Sequence, residues 1–198
     1  MEHEAFVDRV MQRLPAAVPG DFTFTHWNHD GRPTDEGFGL MPAPGVDPEK
    51  LIAAVMDVNG YVGNVDHVAE CRAIPDDRYT PPAAVRFYQK VSLPMLGNVH
   101  LELVLHDLGE REGYRVAAWD LLRNETDALS SKAGFRSDYN TGAWIVKPGV
   151  IGYALASAPK RNDVGFLKWK ALTTGADVAA SRVLKSAIEG VAGWAARR

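Results

Sequence analysis

The last stretch of the chain, TGADVAASRVLKSAIEGVAGWAAR at residues 174–197, decides the fold. Its apolar residues recur at the spacing of one helical face, while charged residues such as Arg182 and Lys185 occupy the other face. Thr174 can cap the first turn, and Asp177 complements the positive end of the helix dipole. The pattern predicts one long amphipathic helix whose apolar face packs against the rest of the chain.

Small residues are frequent on the apolar side of this predicted helix. Much of that side carries only short side chains, at Ala180, Ala187, Gly190 and Gly193. Small side chains either let the helix pack closely on a sheet or leave room for a ligand beneath it. The helix pattern alone favours close packing and leaves the ligand interpretation open.

Length and composition indicate a globular chain with a sizeable core. A chain of 198 residues fits one domain, and no run reaches the roughly 20 apolar residues of a membrane span. The net charge of −3, without a long basic block, gives no electrostatic reason to expect nucleic acid as a partner. Cys71 is the single cysteine, and the first residues, MEHEAFVDRV, lack a secretion-signal pattern. We therefore expect one domain over residues 1–198 and a cytoplasmic location.

The N-terminal part of the chain predicts a helix followed by a hairpin. An apolar stripe indicates a helix over 3–14, and Pro15 stops it. A membrane-surface helix is the alternative, but docking against the domain is the favoured interpretation. Alternation then predicts a strand over 21–28 that forms a hairpin with a strand near 38–41.

No metal or cofactor site is predicted. His26, His29 and Asp30 invite a metal interpretation, but residues three apart on a strand point to opposite faces, and no further ligand pair follows. Neither glycine-rich phosphate motif occurs, and Cys71 has no evident base for nucleophilic catalysis. We expect no cofactor.

The middle of the chain changes from helix to sheet. Asp47-Pro48-Glu49 predicts a helix start, because Asp caps the helix and Pro suits its first turn. Asn59-Gly60 should end that helix, and a short helical piece through Tyr61 should follow. Period-two alternation then predicts antiparallel strands over residues 67–74, 83–91, 98–107, 114–122, 135–147 and 150–160. The longer connection over 123–134 is either plain surface or a gate.

Alternation also assigns the two faces of the predicted sheet. Val85 and Phe87 alternate with polar neighbours, which places them on the buried face. The rule blurs at Asp120, which shares a face with Val116 and Ala118. Asp120 lies either near a strand end in water or inside a pocket as a polar anchor, where burial would require a partner.

The element order and two motifs resemble the START-like helix-grip superfamily (SRPBCC), which includes lipid-transfer and polyketide cyclase or dehydratase proteins. The stretches DPEKL at 47–51 and MDVNGY at 56–61 are similar to its helix pair, and NTGAWIVKPG at 140–149 is similar to its late hairpin. The resemblance covers residues 36–198 and leaves 1–35 as an N-terminal extension. It implies an α+β helix-grip fold, in which a curved antiparallel β-sheet wraps around a long C-terminal α-helix and encloses an apolar cavity.

The implied cavity would be lined by the residues that alternation places inward. The resemblance carries over no catalytic residue, because pocket residues in this superfamily vary with the ligand. The expected ligand-binding residues are Met56, Tyr61, Val85, Phe87, Gln89, Leu101, Leu103, Leu105, Val116, Ala118, Asp120, Ala143, Ile145, Tyr153, Leu155, Leu184, Ala187, Ile188 and Val191. Residues 141–146 are apolar on both faces, so Trp144 could point inward instead. A solid core is the alternative to a cavity.

Three functions are compatible with this pattern. The favoured one is binding, and transport as a further step, of a hydrophobic small molecule such as a lipid, sterol, quinone or polyketide, with the loop over 123–134 as a lid. A cyclase or dehydratase acting in the same cavity is the second, and it needs a general acid or base. The candidate groups are Asp120, Glu102, His100, His106 and Tyr153, although Glu102 and the two histidines fall on the predicted outer face. A protein-interaction module with a solid core is the third.

A further segment suits transient contact with an anionic membrane. Basic residues surround two aromatic ones there, although a helical turn packed on the domain is the favoured interpretation. The residues concerned are Lys160, Arg161, Phe166, Lys168, Trp169 and Lys170. No pattern in the chain indicates an oligomeric state.

Overall fold

The protein is described here by a computed structural model. It describes residues 2–29, 31–93, 97–122, 134–166, 169–170 and 176–198, with side chains from residue 180 onward in the last range. The predicted helix cap at Thr174 and the predicted lid residues 123–133 lie outside the described residues.

Helices and strands follow the predicted order. The helices are α1 (Glu2–Met11), α2 (Pro48–Met56), α3 (Arg161–Val164) and the C-terminal helix α4 (Ala176–Ala196), and a 3-10 turn spans Val58–Gly60. The strands are β1 (Thr23–Trp27), β2 (Glu36–Ala43), β3 (Val68–Ala73), β4 (Ala84–Leu93), β5 (Gly97–Arg111), β6 (Tyr114–Leu121), β7 (Phe135–Lys147) and β8 (Gly149–Pro159).

The eight strands form one curved sheet in the order β1-β2-β8-β7-β6-β5-β4-β3. Neighbours in this order are antiparallel, and β5 also pairs with β7 in parallel where Val99 lies opposite Phe135. Strand β2 pairs with the last strand, so that Gly37 lies opposite Leu155. The predicted α+β arrangement of an antiparallel sheet and a C-terminal helix is confirmed.

Helix α2 begins as its sequence predicts. The Asp47 carboxylate accepts hydrogen bonds from the backbone N–H groups of Glu49 and Lys50 at 2.9 and 3.3 Å, which satisfies two donors that the first turn leaves free. The helix ends at Met56, earlier than predicted, and the 3-10 turn follows it. Residues 62–64 form a turn where a second helical piece was predicted. Its buried side chains face the same side of the sheet as α4.

Helix α4 covers one face of the sheet, which we call the concave face. Ala187, Ile188 and Val191 are buried in the apolar cluster between α4, α2 and the sheet. Lys185 and Glu189 are exposed on the opposite side of the helix, as predicted. The helix therefore presents one apolar stripe to the sheet, and burial of that stripe is the main stabilising term for a helix of this kind.

Helix α1 covers the opposite face, which we call the convex face. Phe6, Val7 and Val10 are fully buried there, in a second apolar cluster formed with β2, β6, β7 and β8. Docking of the N-terminal helix against the sheet is thus confirmed. Both faces of the central strands are covered, so these strands are apolar on both sides.

Candidate ligand-binding pocket

Most of the predicted lining residues lie on the concave face. They pack in or against the cluster under α4 and α2, except that Leu184 is placed there by its position in the pocket wall and Gln89 by its register opposite Leu101. The residues so placed are Met56, Tyr61, Val85, Phe87, Gln89, Leu101, Leu103, Leu105, Tyr153, Leu155, Leu184, Ala187, Ile188 and Val191. That any of them binds a ligand stays a prediction.

Five predicted lining residues lie on the other face. Val116, Ala118, Ala143 and Ile145 belong to the convex cluster under α1, and the Asp120 carboxylate contacts His3 of α1. The prediction that these five residues lie on the concave wall is therefore wrong. Period-two alternation could not separate the faces here, because α1 makes the convex side of these strands as apolar as the concave side.

The side chains that take their place on the concave face are aromatic. Trp119 of β6 and Trp144 of β7 point to the concave side, where each contacts the ring of Tyr153, with ring centroids 5.5 and 4.4 Å apart. Gly142 makes room for this arrangement, because an added Cβ atom would lie 2.0 Å from the Trp119 ring. The inward position of Trp144, noted as an alternative from the sequence, is the observed one.

A pocket opens at one end of the concave face, beneath the first part of α4. Its volume is about 200 Å³. Apolar side chains form most of its wall, and serine, threonine, histidine and acidic residues form the rest. The lining residues are Phe24, His26, Thr34, Asp35, Glu36, Gly37, Leu93, Val99, Phe135, Ser137, Leu155, Ser157, Pro159, Ala180 and Leu184.

Both the sheet and helix α4 supply the apolar part of the pocket. Leu155 of β8, Phe135 of β7 and Val99 of β5 form the floor, while Ala180 and Leu184 of α4 form the roof. The parallel pairing of β5 with β7 brings Val99 beside Phe135. Because Ala180 has a small side chain, the helix leaves space at this end, whereas the bulkier residues of its next turns close the concave face.

The entrance of the pocket carries a histidine and a carboxylate. His26 Nδ1 lies 2.8 Å from Asp35 Oδ2, and Asn28 Nδ2 donates to the other carboxylate oxygen at 3.3 Å. His26 therefore pairs with Asp35 and not with His29. Among the described residues, no group of three or more His, Cys, Asp or Glu side chains is arranged to hold a metal ion.

Hydroxyl groups line the polar end of the pocket. Thr34 donates to the backbone carbonyl of Ser157 at 2.8 Å and contacts the Tyr139 hydroxyl, so its proton is already used. Ser157 Oγ accepts a hydrogen bond from Asn140 Nδ2 at 3.0 Å. Asn140 Oδ1 in turn accepts from the indole N–H of Trp119 at 2.8 Å. These groups give the pocket a small number of oriented polar contacts.

Buried titratable groups on the concave face are held neutral. Burial raises the pKa of the Tyr153 hydroxyl far above its ordinary value, and it raises the pKa of the Cys71 thiol to about 12. A thiol reacts as its thiolate, so Cys71 is inert at neutral pH. The concave face therefore has the electrostatics of an apolar binding surface.

The charged groups predicted to lie outside the cavity do lie on the convex face. Glu102 pairs with Arg86 on the neighbouring strand, and His106 stacks on His3 with ring centroids 4.4 Å apart. Arg115 pairs with Asp107 of the neighbouring strand and with Glu49 of α2.

Sequence reasoning missed most of the pocket lining. Of the predicted residues, only Leu155 and Leu184 line it, in part because the segment before residue 36, which supplies Phe24, His26, Thr34 and Asp35, was placed outside the family pattern. Two signals were present in the chain. Phe24 and His26 alternate with polar neighbours, and Ser137 and Ser157 interrupt otherwise apolar strands on their inward side.

Comparison with known proteins gives a likeness of fold. No protein-family model matches the chain, and no curated protein sequence matches it. A STAR-related lipid transfer protein fragment from Xanthomonas axonopodis has a TM-score of 0.71 at 13% identity, covering 92% of this chain and 97% of that one. Human STARD10 has a TM-score of 0.70 at 14% identity, covering 96% of this chain and 78% of that one.

A third match comes from human StAR-related lipid transfer protein 5. Its TM-score is 0.68 at 11% identity, and the alignment covers 99% of this chain and 95% of that one. The chain has the START-like helix-grip fold, and the resemblance inferred from its sequence is confirmed at the level of fold.

Proposed function

We propose that this START-like chain binds a hydrophobic small molecule in the pocket beneath the first part of α4. The observation that carries the proposal is an apolar pocket at one end of a concave face on which buried apolar side chains pack together under α4 and α2. Concave apolar sites with few polar groups are the usual form of small-molecule sites. Two of the structural neighbours named above are lipid transfer proteins by name, which supports the same class of ligand here.

The volume of the pocket limits what it accommodates. About 200 Å³ exceeds the roughly 150 Å³ of a cavity that takes up benzene, and falls below the 300–1,000 Å³ of typical ligand sites. A single ring system or a short chain fits this space. Of the ligand classes expected from the sequence, a lipid, sterol, quinone or polyketide would therefore place only one part of the molecule in the pocket as it stands.

None of the acid–base groups expected from the sequence lines this pocket. Of the acid–base groups expected for a cyclase or dehydratase, Asp120, Glu102, His100 and His106 lie on the convex face. Tyr153 lies on the concave face, but its raised pKa keeps the hydroxyl protonated at neutral pH. General acid–base catalysis works best when the pKa lies near the operating pH.

The proposal includes a transient contact between this protein and a membrane, at which the bound molecule is delivered. Arg161 lies over the rings of Phe166 and Trp169, at 4.9 and 5.5 Å from their centroids, and Phe166 is 54% exposed. Lys168 lies outside the described residues. No helix in the described part of the chain is long and apolar enough to cross a membrane. The cytoplasmic location expected from the sequence stays a prediction.

A blocked pocket tests the proposed function. We expect Ala180→Phe to fill the space under α4 and to abolish co-purification of an apolar molecule, which gas chromatography with mass spectrometry of a solvent extract detects. Arg182→Phe is the matched control, because it adds the same ring to an exposed position of the same helix. An extract of wild-type protein without any apolar compound, or equal amounts from Ala180→Phe and Arg182→Phe, would contradict the proposal.

A further inference from the structure

A hydrogen-bond chain of fixed direction ends at the polar side of the pocket. The indole nitrogen of Trp119 can only donate, and it lies 2.8 Å from Asn140 Oδ1. This contact orients the Asn140 amide, because the oxygen must face the indole. The NH₂ group of Asn140 therefore faces Ser157, whose Oγ atom it reaches at 3.0 Å. Ser157 is the acceptor in this chain.

The chain is held in place by packing. Trp119 and Asn140 are 6% and 8% exposed, so neither side chain is free to turn toward solvent. The Trp119 ring lies between the ring of Tyr153 and the backbone of Gly142, where no Cβ atom would fit. A side chain confined in this way keeps the direction of its N–H group. It thereby fixes the direction of the hydrogen bonds that follow, from Trp119 to Asn140 and from Asn140 to Ser157.

Ser157 consequently has a proton to donate. A serine hydroxyl that accepts one hydrogen bond still carries its own hydrogen. Within the ranges that the structure describes, Ser157 Oγ makes no other hydrogen bond, and the residue lines the pocket. An acceptor oxygen on a bound molecule would satisfy this donor, whereas a pure hydrocarbon would leave it without a partner.

The charged groups of the lining are acidic. Glu36 is neutralised by Arg9 and Arg32, but the Asp35 carboxylate is 32% exposed beside the entrance, and its partners among the described residues are His26 and Asn28. No lysine or arginine occurs among the described lining residues. An anionic group in the pocket would lie near a carboxylate without a cation to offset it, which disfavours binding.

We propose that the pocket selects an uncharged apolar molecule that presents a carbonyl, ether or hydroxyl oxygen to the Ser157 hydroxyl. Trp119 and Asn140 are positioning residues, which act on the ligand through Ser157. This inference rests on the proposed function, because it names the ligand class of the same pocket.

Two probes of equal size test the selection. Acetophenone and ethylbenzene share a ring and a two-carbon substituent, and only acetophenone has a carbonyl oxygen. We expect wild-type protein to bind acetophenone about three- to tenfold more tightly, the contribution of one net hydrogen bond, in a titration followed by ¹H–¹⁵N NMR. Ser157→Ala should lose this preference and keep its affinity for ethylbenzene. The same preference in Ser157→Ala would overturn the inference.

The positioning role has its own spectroscopic readout. A hydrogen bond lowers the stretching frequency of a carbonyl, so ¹³C-labelled bound acetophenone should absorb at lower frequency in wild-type protein than in Ser157→Ala or Asn140→Leu. Ser137→Ala tests the competing donor, because Ser137 also lines the pocket but takes no part in the hydrogen bonds that link Trp119, Asn140 and Ser157. Loss of the frequency shift in Ser137→Ala but not in Ser157→Ala would overturn the assignment of the donor.

The outcomes separate this inference from the proposed function. If neither acetophenone nor ethylbenzene binds wild-type protein, both proposals fail. If both bind equally, the pocket binds apolar molecules and only the selection by Ser157 fails. Benzoate tests the exclusion of anions, since it has the same ring with a carboxylate. Binding of benzoate as tight as that of acetophenone would overturn the requirement for an uncharged ligand.

Discussion

The two faces of the sheet are covered by helices in different ways. On the convex face, α1 is attached through charged and polar pairs, Arg9 with Glu36 and His3 with Asp120, as well as through apolar contacts. On the concave face, the buried contacts of α4 are made by apolar side chains, and its polar pairs, such as Ser186 with Asp66, lie at the exposed edge. Buried ion pairs require defined distances, whereas apolar contact has no direction. Apolar attachment can therefore leave a gap such as the pocket at Ala180 without exposing an unpaired charge.

The largest expected effect comes from breaking the charged attachment. The Glu36 carboxylate is fully buried and accepts hydrogen bonds from Arg9 at 2.7 and 2.8 Å and from Trp27 at 3.0 Å. Glu36→Ala leaves these donors without their acceptor, so we expect a loss of about 3 kcal/mol in the free energy of unfolding, measured with urea. Glu70→Ala is the control, because Glu70 is exposed and pairs with Lys90 at the surface.

The control variant should lose at most about 1 kcal/mol, as exposed ion pairs do. Equal losses in Glu36→Ala and Glu70→Ala would show that α1 is held by apolar contacts alone. The contrast between the two faces would then disappear.

An intermediate effect is expected at the closed end of the concave face. An added Cβ atom at Gly190 would lie 2.6 Å from the backbone oxygen of Asn64, so Gly190→Ala forces two backbones apart. We expect a loss of about 1 to 2 kcal/mol in thermal or urea unfolding, after the better helix propensity of alanine is included. This position shows that α4 packs closely here, unlike at Ala180.

Gly193 provides the matched control on the same helix. Its added Cβ atom would meet only the end of the Arg197 side chain, at 3.4 Å. Gly193→Ala should therefore stabilise the protein by up to about 1 kcal/mol through helix propensity. A gain in both variants would mean that the closed end of α4 is looser than its geometry indicates.

The smallest expected effect is a change in the free energy of unfolding with pH, and it arises from His106 on the convex face. Burial lowers the pKa of His106, and the neighbouring His3 lowers it further, while Asp120 and Glu4 oppose the shift. A histidine with a lowered pKa binds its proton less tightly in the folded state than in the unfolded state. The folded protein therefore loses stability as the pH falls below the ordinary histidine pKa of 6.5. We expect a lower free energy of unfolding at about pH 5.5 than at about pH 7.5.

A non-titrating variant checks the origin of that pH dependence. His106→Phe keeps a ring against His3 and removes one titrating group. The difference in stability between the two pH values should shrink in this variant. An unchanged difference would assign the pH dependence to other groups.

The sequence predicted the fold well because its signals were local. The Asp47 cap, the alternation in β4 and β5, and the helical stripe of α4 each depend on residues close together in the chain. In β4 and β5, polar neighbours such as Arg86 and Glu102 contrast with the apolar concave residues, so Phe87 was placed on the correct face.

The pocket was less predictable because it depends on contacts between distant parts of the chain. In β6 and β7 the contrast is lost, since α1 buries the convex side as well, and Val116 and Ile145 were therefore assigned to the wrong face. The β1–β2 hairpin reaches the pocket only because β2 pairs with β8. No periodicity along the chain carries that pairing.

The pairing of β2 with β8 also bears on biosynthesis. Strand β2, which contains Gly37, is synthesised early. One of its edges stays unpaired until β8, which contains Leu155, has also been synthesised. Contacts between residues this far apart form slowly, and an uncovered strand edge invites association with other chains. The ribosome thus releases the partner strand only after most of the polypeptide has emerged, and a nascent chain arrested before β8 would be the form most in need of a chaperone.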